Sequence, residues 1–330
     1  MRIDLHTHFY PAKYLELIEE LNTTFEITRD AKGNKIFKYK GARFYTVTPE
    51  MSSPEDRIRH MDEAGIDVQV LSLSTPSVYY YGDDDSLSLS KMTNDYLASL
   101  RDKYPKRFWC LATVPLNNME YALQELDRAI NQLGMNGVIV GSNINGKPLN
   151  SPEFEPFWAA CNKMKLALTM HPMPPVGSEL MYEYGLAPMV GFMFDSTMAA
   201  ARMAYDGIFE RYPDLNLVVP HLGSAIPYII ERLDNGFRYI PDCREKISEL
   251  PSEYLKNLYY DTVSFHKPAL MCAYDTVGAD HIVLGSDYPH VIGDIKGAVT
   301  SVQGMDISEE EKEKIFSGNA LRILTNLQNL

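Results

Sequence analysis

His6 and His8 stand near the start of the chain, in the run Arg2-Ile3-Asp4-Leu5-His6-Thr7-His8-Phe9. Side chains alternate along a strand, so this spacing predicts two imidazoles on one face, with Leu5, Thr7 and Phe9 on the other. Two adjacent imidazoles are half of a metal site, although two polar residues on a solvated strand face give the same pattern. The remaining histidines decide between these readings. His171 closes the run Leu166–His171, His221 closes Leu215–His221, and Asp287 closes His281–Asp287. His266 and His290 fall just beyond the last two apolar runs, whereas His60 is mid-helix and His281 precedes its run. Any one of these histidines, taken alone, is more often a hydrogen-bonded polar residue than a ligand. Several imidazoles and a carboxylate in one place suit a divalent ion such as zinc. Imidazole is a neutral nitrogen donor, the carboxylate lowers the charge of the site, and a coordination position stays open for water or substrate.

Such convergence needs a scaffold that brings the ends of distant strands together. From residue 3 the chain carries eight short apolar runs, starting near residues 3, 68, 108, 137, 166, 215, 258 and 281. Between them lie helical segments at 54–64, 86–103, 118–133, 152–164, 191–211, 224–239 and 267–277, and two short helices follow at 308–316 and 319–328. Nearly continuous apolar strands alternating with helices mean a parallel sheet covered on both faces. Eight such units predict an α/β protein of the (β/α)8 TIM-barrel class, in one domain over 1–330, with its chemistry at the C-terminal ends of the strands. The competing reading, an open doubly wound sheet, lacks its usual Gly-x-Gly-x-x-Gly turn after the first strand. Residues 10–50 read as an insertion over the barrel mouth. It holds a short amphipathic piece (14–21) and a small β-hairpin whose two arms, 24–28 and 35–47, are separated by Ala31-Lys32-Gly33-Asn34. The stretch 173–190, with Pro174-Pro175, Gly177 and Gly185, is too long for an ordinary barrel loop and reads as a lid or a dimer contact. Tyr79-Tyr80-Tyr81 reads as pocket lining or interface.

Composition narrows the partners. Lys+Arg 31 against Asp+Glu 44 leaves a net charge of −13, which argues against nucleic acid and anionic membranes. A local arginine or a metal still permits an anionic substrate. The four cysteines are scattered with no Cys-x-x-Cys, so reduced thiols in a cytoplasmic protein are expected. No basic-then-apolar leader and no apolar stretch near 18 residues is present, so neither a cleaved signal nor a membrane span is expected.

His6-x-His8, His171, His221 and Asp287 on strands one, five, six and eight resemble the amidohydrolase superfamily. Four stretches are similar to one branch of it: Ile3–Pro11, Met61–Val70, Gly285-Ser286-Asp287-Tyr288-Pro289 and Ser317-Gly318-Asn319-Ala320. That branch contains aminocarboxymuconate semialdehyde decarboxylase and the non-oxidative aromatic acid decarboxylases. The resemblance implies that His6, His8, His171 and Asp287 hold the metal and that His221 is a general base. Arg43 and Arg232 match positions that grip substrate carboxylates, the latter reaching in from a neighbouring subunit of a homodimer. Members with two metals carry a lysine at the end of strand four, where this chain reads Gly141-Ser142-Asn143. One divalent ion is therefore expected, zinc first and manganese second. Met173 and Ile240 depart from the Trp and Arg of the muconate enzyme, which leaves the substrate open.

Decarboxylation leaves electrons on carbon, so it needs an adjacent charge-neutralising centre and a proton. In the muconate-type route His221 would take a proton from water, and in the aromatic-acid route Asp287 would protonate the ring carbon. His266 and His290 are read as substrate contacts or orienting groups. The expected activity is a metal-dependent non-oxidative decarboxylase of a small unsaturated or aromatic carboxylic acid. A hydrolase or hydratase acting on a lactone, an amide or a conjugated acid is the alternative on the same site.

Overall fold

A computed structural model describes residues 1–327. In chain order its strands are β1 (Ile3–His8), β2 (Glu26–Arg29), β3 (Lys35–Tyr39), β4 (Ala42–Thr46), β5 (Val68–Ser72), β6 (Phe108–Cys110) and β7 (Ala112–Thr113). Then come β8 (Val138–Gly141), β9 (Asn143–Ile144), β10 (Lys147–Pro148), β11 (Ala167–His171), β12 (Asn216–Val219), β13 (Tyr259–Asp261) and β14 (Ile282–Val283). Parallel pairing runs β1–β5–β6 and β7–β8–β11–β12–β13–β14. Backbone bonds outside this strand pairing join these groups. The Leu5 N–H donates to Leu284 O, the His8 N–H to Tyr288 O, and the Leu111 N–H, between β6 and β7, to Leu71 O.

The alternating helices follow from local signals. Helix Pro54–Ala64 has Ser53 as its cap, accepting from the Asp56 N–H, and Pro54 in its first turn. It stops at Gly65, whose φ of +70° a glycine adopts without steric cost. The expected helix over 191–211 is broken into Phe192–Tyr205 and Ile208–Arg211 by Gly207, at φ +75°. The terminal helix spans Asn319–Ile323 rather than 319–328, and residue 328 lies outside the described residues. No helix among the described residues is long and apolar enough to cross a membrane.

Three differences from the sequence reading bear on the site. First, the 35–47 run is two strands, and β2–β3–β4 form a three-stranded antiparallel sheet rather than a two-stranded hairpin. Lys40 and Gly41 both have positive φ, the geometry of a tight hairpin turn, and lysine is a weak signal for it. Second, β14 pairs over only two residues of the expected 281–287. A Cβ on Gly285 would lie 2.8 Å from His6 Cβ, and Asp287 takes φ +58°, so the chain leaves the extended form there. Third, β1 slips by one residue against β5 between Asp4 and Thr7. Leu5, on the same face as Ile3, joins it with Val68, Val70, Leu111 and Val218 in a buried cluster drawn from the parallel strands. Such bulges re-aim side chains beside functional sites.

Candidate metal centre

His6, His8, His171 and Asp287 come together as expected: one ligand atom from each lies within 4.8 Å of the others, and all four residues are buried. His8 Nε2 and His6 Nε2 are 3.1 and 3.4 Å from Asp287 Oδ1. The imidazole centroids of His6 and His8 are 4.9 Å apart, and those of His8 and His171 are 4.7 Å apart. Each ring is steered by its other nitrogen. His6 Nδ1–H donates to Asp261 Oδ2 at 2.6 Å, His171 Nδ1–H donates to Pro172 O at 3.0 Å, and His8 Nδ1 meets Ser72 Oγ at 3.1 Å. These contacts leave the three Nε2 atoms for the common point, the arrangement that outer partners impose on metal-ligating histidines. His6 Nε2 is buried with no hydrogen-bond partner, the mark of a donor that fits an ion. Three neutral nitrogens and one carboxylate oxygen therefore fit a single divalent ion.

Burial first, then neighbouring histidines, hold His8 and His171 well below the ordinary imidazole range. Burial acts the same way on His6, but Asp261 outweighs it and raises that ring to about 8. Burial opposes ionisation of Asp287, yet His290, His6 and His221 around it keep its carboxyl below the ordinary value. His8 and His171 are thus neutral beside an ionised carboxylate, the protonation states that coordination requires, whereas His6 would have to give up its second proton to bind an ion.

Asp261, at the end of β13, organises the fourth side. Its two oxygens accept from the N–H groups of His221 (3.0 Å), Leu222 (2.9 Å) and Val263 (2.9 Å) as well as from His6. His221 and Leu222 have φ +54° and +59°, an unusual backbone for non-glycine residues that these bonds hold in place. The His221 ring lies 5.3 Å from that of His6, and its buried Nδ1 has no partner. The sequence reading missed Asp261. In the sequence Asp261 lies inside the run 258–263, and only the strand's early stop puts it at a C-terminal end.

A cavity of about 200 Å³ opens on these groups, lined by His171, His221, Asp287 and His290. His290 stands with Nε2 3.2 Å from Ser74 Oγ and its ring 4.9 Å from that of His8. Arg43 also lines the cavity, its guanidinium held by Thr46 Oγ1. The walls are apolar, with Phe44, Phe192, Met189 and Ile292, and Tyr184 from the 173–190 stretch stands at the opening. His266 is not brought here, and Arg232, expected from a neighbouring subunit, does not line this chain's own cavity. His266 is exposed at the start of helix Lys267–Val277, because the chain after β13 turns outward before that helix begins. Arg232 is exposed on helix Ile226–Tyr239 and lies outside this cavity. The three tyrosines do not line it either: Tyr79 is buried with its hydroxyl accepting from the Gly141 N–H, and Tyr80 packs on Phe25.

Residues 3–325 match the amidohydrolase family model. The chain is 31% identical over 329 residues to 2-amino-3-carboxymuconate-6-semialdehyde decarboxylase of Dictyostelium discoideum, covering 98% of this chain and 91% of that protein. It is 30% identical to a gamma-resorcylate decarboxylase of Polaromonas, covering 80% and 85%. Its fold is similar to that of a dihydroxybenzoic acid decarboxylase from Polaromonas with bound manganese and the inhibitor 2-nitroresorcinol. That likeness has a TM-score of 0.81 and 25% identity, covering 98% of this chain and 96% of the other. Family match, relatives and donor geometry agree: the chain belongs to the amidohydrolase family.

Proposed function

We infer that the protein is a metal-dependent carboxy-lyase that removes carbon dioxide, without oxidation, from a small aromatic or unsaturated carboxylic acid. The observation that carries this reading is the convergence of four donors, with His221 and Arg43, on one cavity. The decarboxylase relatives support it. His6, His8, His171 and Asp287 would hold the ion. Three imidazoles favour zinc, and the manganese of the dihydroxybenzoic acid decarboxylase supports the alternative metal. A bound divalent ion supplies Lewis acidity and neutralises charge beside the breaking bond.

The chain's own residues do the rest. Arg43 meets an anionic end of the substrate, and His290 contacts it from the side of His8. Phe44 and Phe192 flank the substrate and keep water from the carbon that gains electrons. As its bond to the carboxyl group breaks, carbon dioxide leaves and the ring or chain carbon left with the electron pair takes up one proton. His221, with its free Nδ1, and Asp287 are the proton carriers facing the cavity. The parallel strands are read as a closed (β/α)8 barrel in a single domain, with the β2–β4 sheet over its mouth. The bonds from Leu5 to Leu284 and from Leu111 to Leu71 support closure. Four free cysteines support a cytoplasmic place. A homodimer is supported by exposed apolar side chains at Leu180, Tyr182, Phe194, Tyr228 and Tyr239, the last two on the helix that carries Arg232. Arg232 would then reach the partner's cavity.

The test is stoichiometric. Metal-loaded protein given 2,6-dihydroxybenzoate and related hydroxybenzoates is expected to release one carbon dioxide per acid consumed, with a deuteron from heavy water at the vacated carbon. Ring-opened or hydrated products without carbon dioxide, from any acid tried, would overturn the reading in favour of a hydrolase or hydratase.

A further inference from the structure

A second buried polar assembly lies where β1 and β5 face helix Pro54–Ala64, and the chemistry above does not use it. Arg57 is wholly buried, and among the described residues its guanidinium makes no ion pair. Burying an unpaired cation is costly, so its actual partners matter. Nη2 donates to His8 O, and Nη1 donates to Gln69 Oε1 at 2.8 Å. The guanidinium also sits 5.4 Å from the Phe9 ring centroid and 4.6 Å from that of Tyr288. Gln69 passes the link on, its Nε2 donating to Asp4 Oδ2 at 2.9 Å. Asp4 in turn accepts from the Ser286 N–H at 3.0 Å and from Ser286 Oγ–H at 2.6 Å.

The two ends of this chain of contacts fall on or beside the metal donors. His8 is itself a donor, and Phe9 follows it. Ser286 and Tyr288 stand on either side of Asp287. Asp4 lies two residues before His6. Asp287 takes a left-handed backbone, φ +58°, that needs neighbours to hold it. We propose that Arg57, Gln69 and Asp4 form a strap that sets the separation between the His6–His8 pair and Asp287, so that Gln69 is a positioning residue for divalent-ion affinity. The proposal rests on reading those donors as a metal site.

The test uses the full chain, stripped of metal and titrated with Zn²⁺ and Mn²⁺ against a chromophoric chelator, well below each variant's melting temperature. Gln69→Met keeps the volume and removes both bonds, and it is expected to weaken binding of each ion about 10- to 100-fold. Asp4→Asn is expected to weaken it too. The double variant should lose no more than the worse single, because the strap acts as a unit. If Gln69→Met does not fold, Ser286→Ala carries the same test, since it removes one hydroxyl from Asp4. Unchanged affinity with a lowered melting temperature of the metal-free variant would overturn the proposal and leave the assembly a support of the fold. So would losses that simply multiply in the double variant. Failure of the wild-type protein to bind either ion overturns the metal reading and the strap with it. Tight binding by both wild type and Gln69→Met overturns the strap alone.

Discussion

At the scale of single residues, the site divides into groups that would touch an ion and groups that aim them. His221 belongs to neither set by distance alone, since its Nδ1 is buried without a partner while its backbone is fixed by Asp261. His221→Asn is expected to lower kcat by about 10²- to 10⁴-fold, the range of a lost proton-transfer group. Metal analysis of the same preparation should show full occupancy, and loss of the ion would make His221 a ligand instead. Asp261→Asn keeps an acceptor for some of the backbone N–H groups but weakens the pull on His6 Nδ1. It is expected to reduce metal affinity by about 10- to 100-fold, read by competition with a chelator. An unaltered affinity would mean that something else orients His6.

Among the elements, the β2–β4 sheet delivers Arg43 and Phe44 to the cavity, and the 173–190 stretch delivers Tyr184 and Met189. Both lie outside the strand-helix alternation, which is why their contribution depends on packing. Helix ends are governed more locally. Helix Glu309–Glu313 begins with a capping box, in which Ser308 Oγ accepts from the Glu311 N–H while the Glu311 carboxylate accepts from the Ser308 N–H. Tyr274 Oη–H and then Ser308 donate to that carboxylate and pull its pKa down to about 2. A folded value below the unfolded one contributes stability that is complete above the ordinary carboxylate range. It is lost as pH falls from about 4.3 towards the folded value. The difference in unfolding free energy between wild type and Glu311→Gln should accordingly be constant above pH 6 and shrink steadily below pH 4. A pH-independent difference would remove the carboxylate from the account.

For the molecule as a whole, metal and fold are coupled, because the donors come from β1, β11 and the turn after β14, which the ion would hold together. Removing the ion with a strong chelator is expected to lower the melting temperature reversibly. At a free metal concentration of 100 times Kd, the ion should contribute about 2.7 kcal/mol, measured by melts across a metal titration. Melting curves that superimpose with and without metal would contradict the coupling. Assembly is checked separately. Phe194→Asp, at a side chain 60% exposed, is expected to convert a dimer to a monomer in sedimentation and to raise KM for anionic substrates, and Arg232→Met is expected to raise KM while leaving the dimer intact. A wild-type monomer with full activity would rule out both.

The alternation of apolar runs and helices, the helix stops at glycine, and the four donors at the ends of strands were all legible in order along the chain. Each depends on residue type and near neighbours: periodicity, steric freedom at φ, and the rule that parallel strands end at one face. What the sequence could not determine depends on contacts between residues far apart. The one-residue slip in β1 exists only against β5. The role of Asp261 requires that β13 lie beside the turn carrying His221, and the burial of Arg57 requires β1, β5 and the turn after β14 to close around it. His266 was placed at the rim by chain order, yet packing turned it outward. Side-chain type says what a group can do, but only the folded chain, by excluding water and fixing neighbours, decides which groups meet.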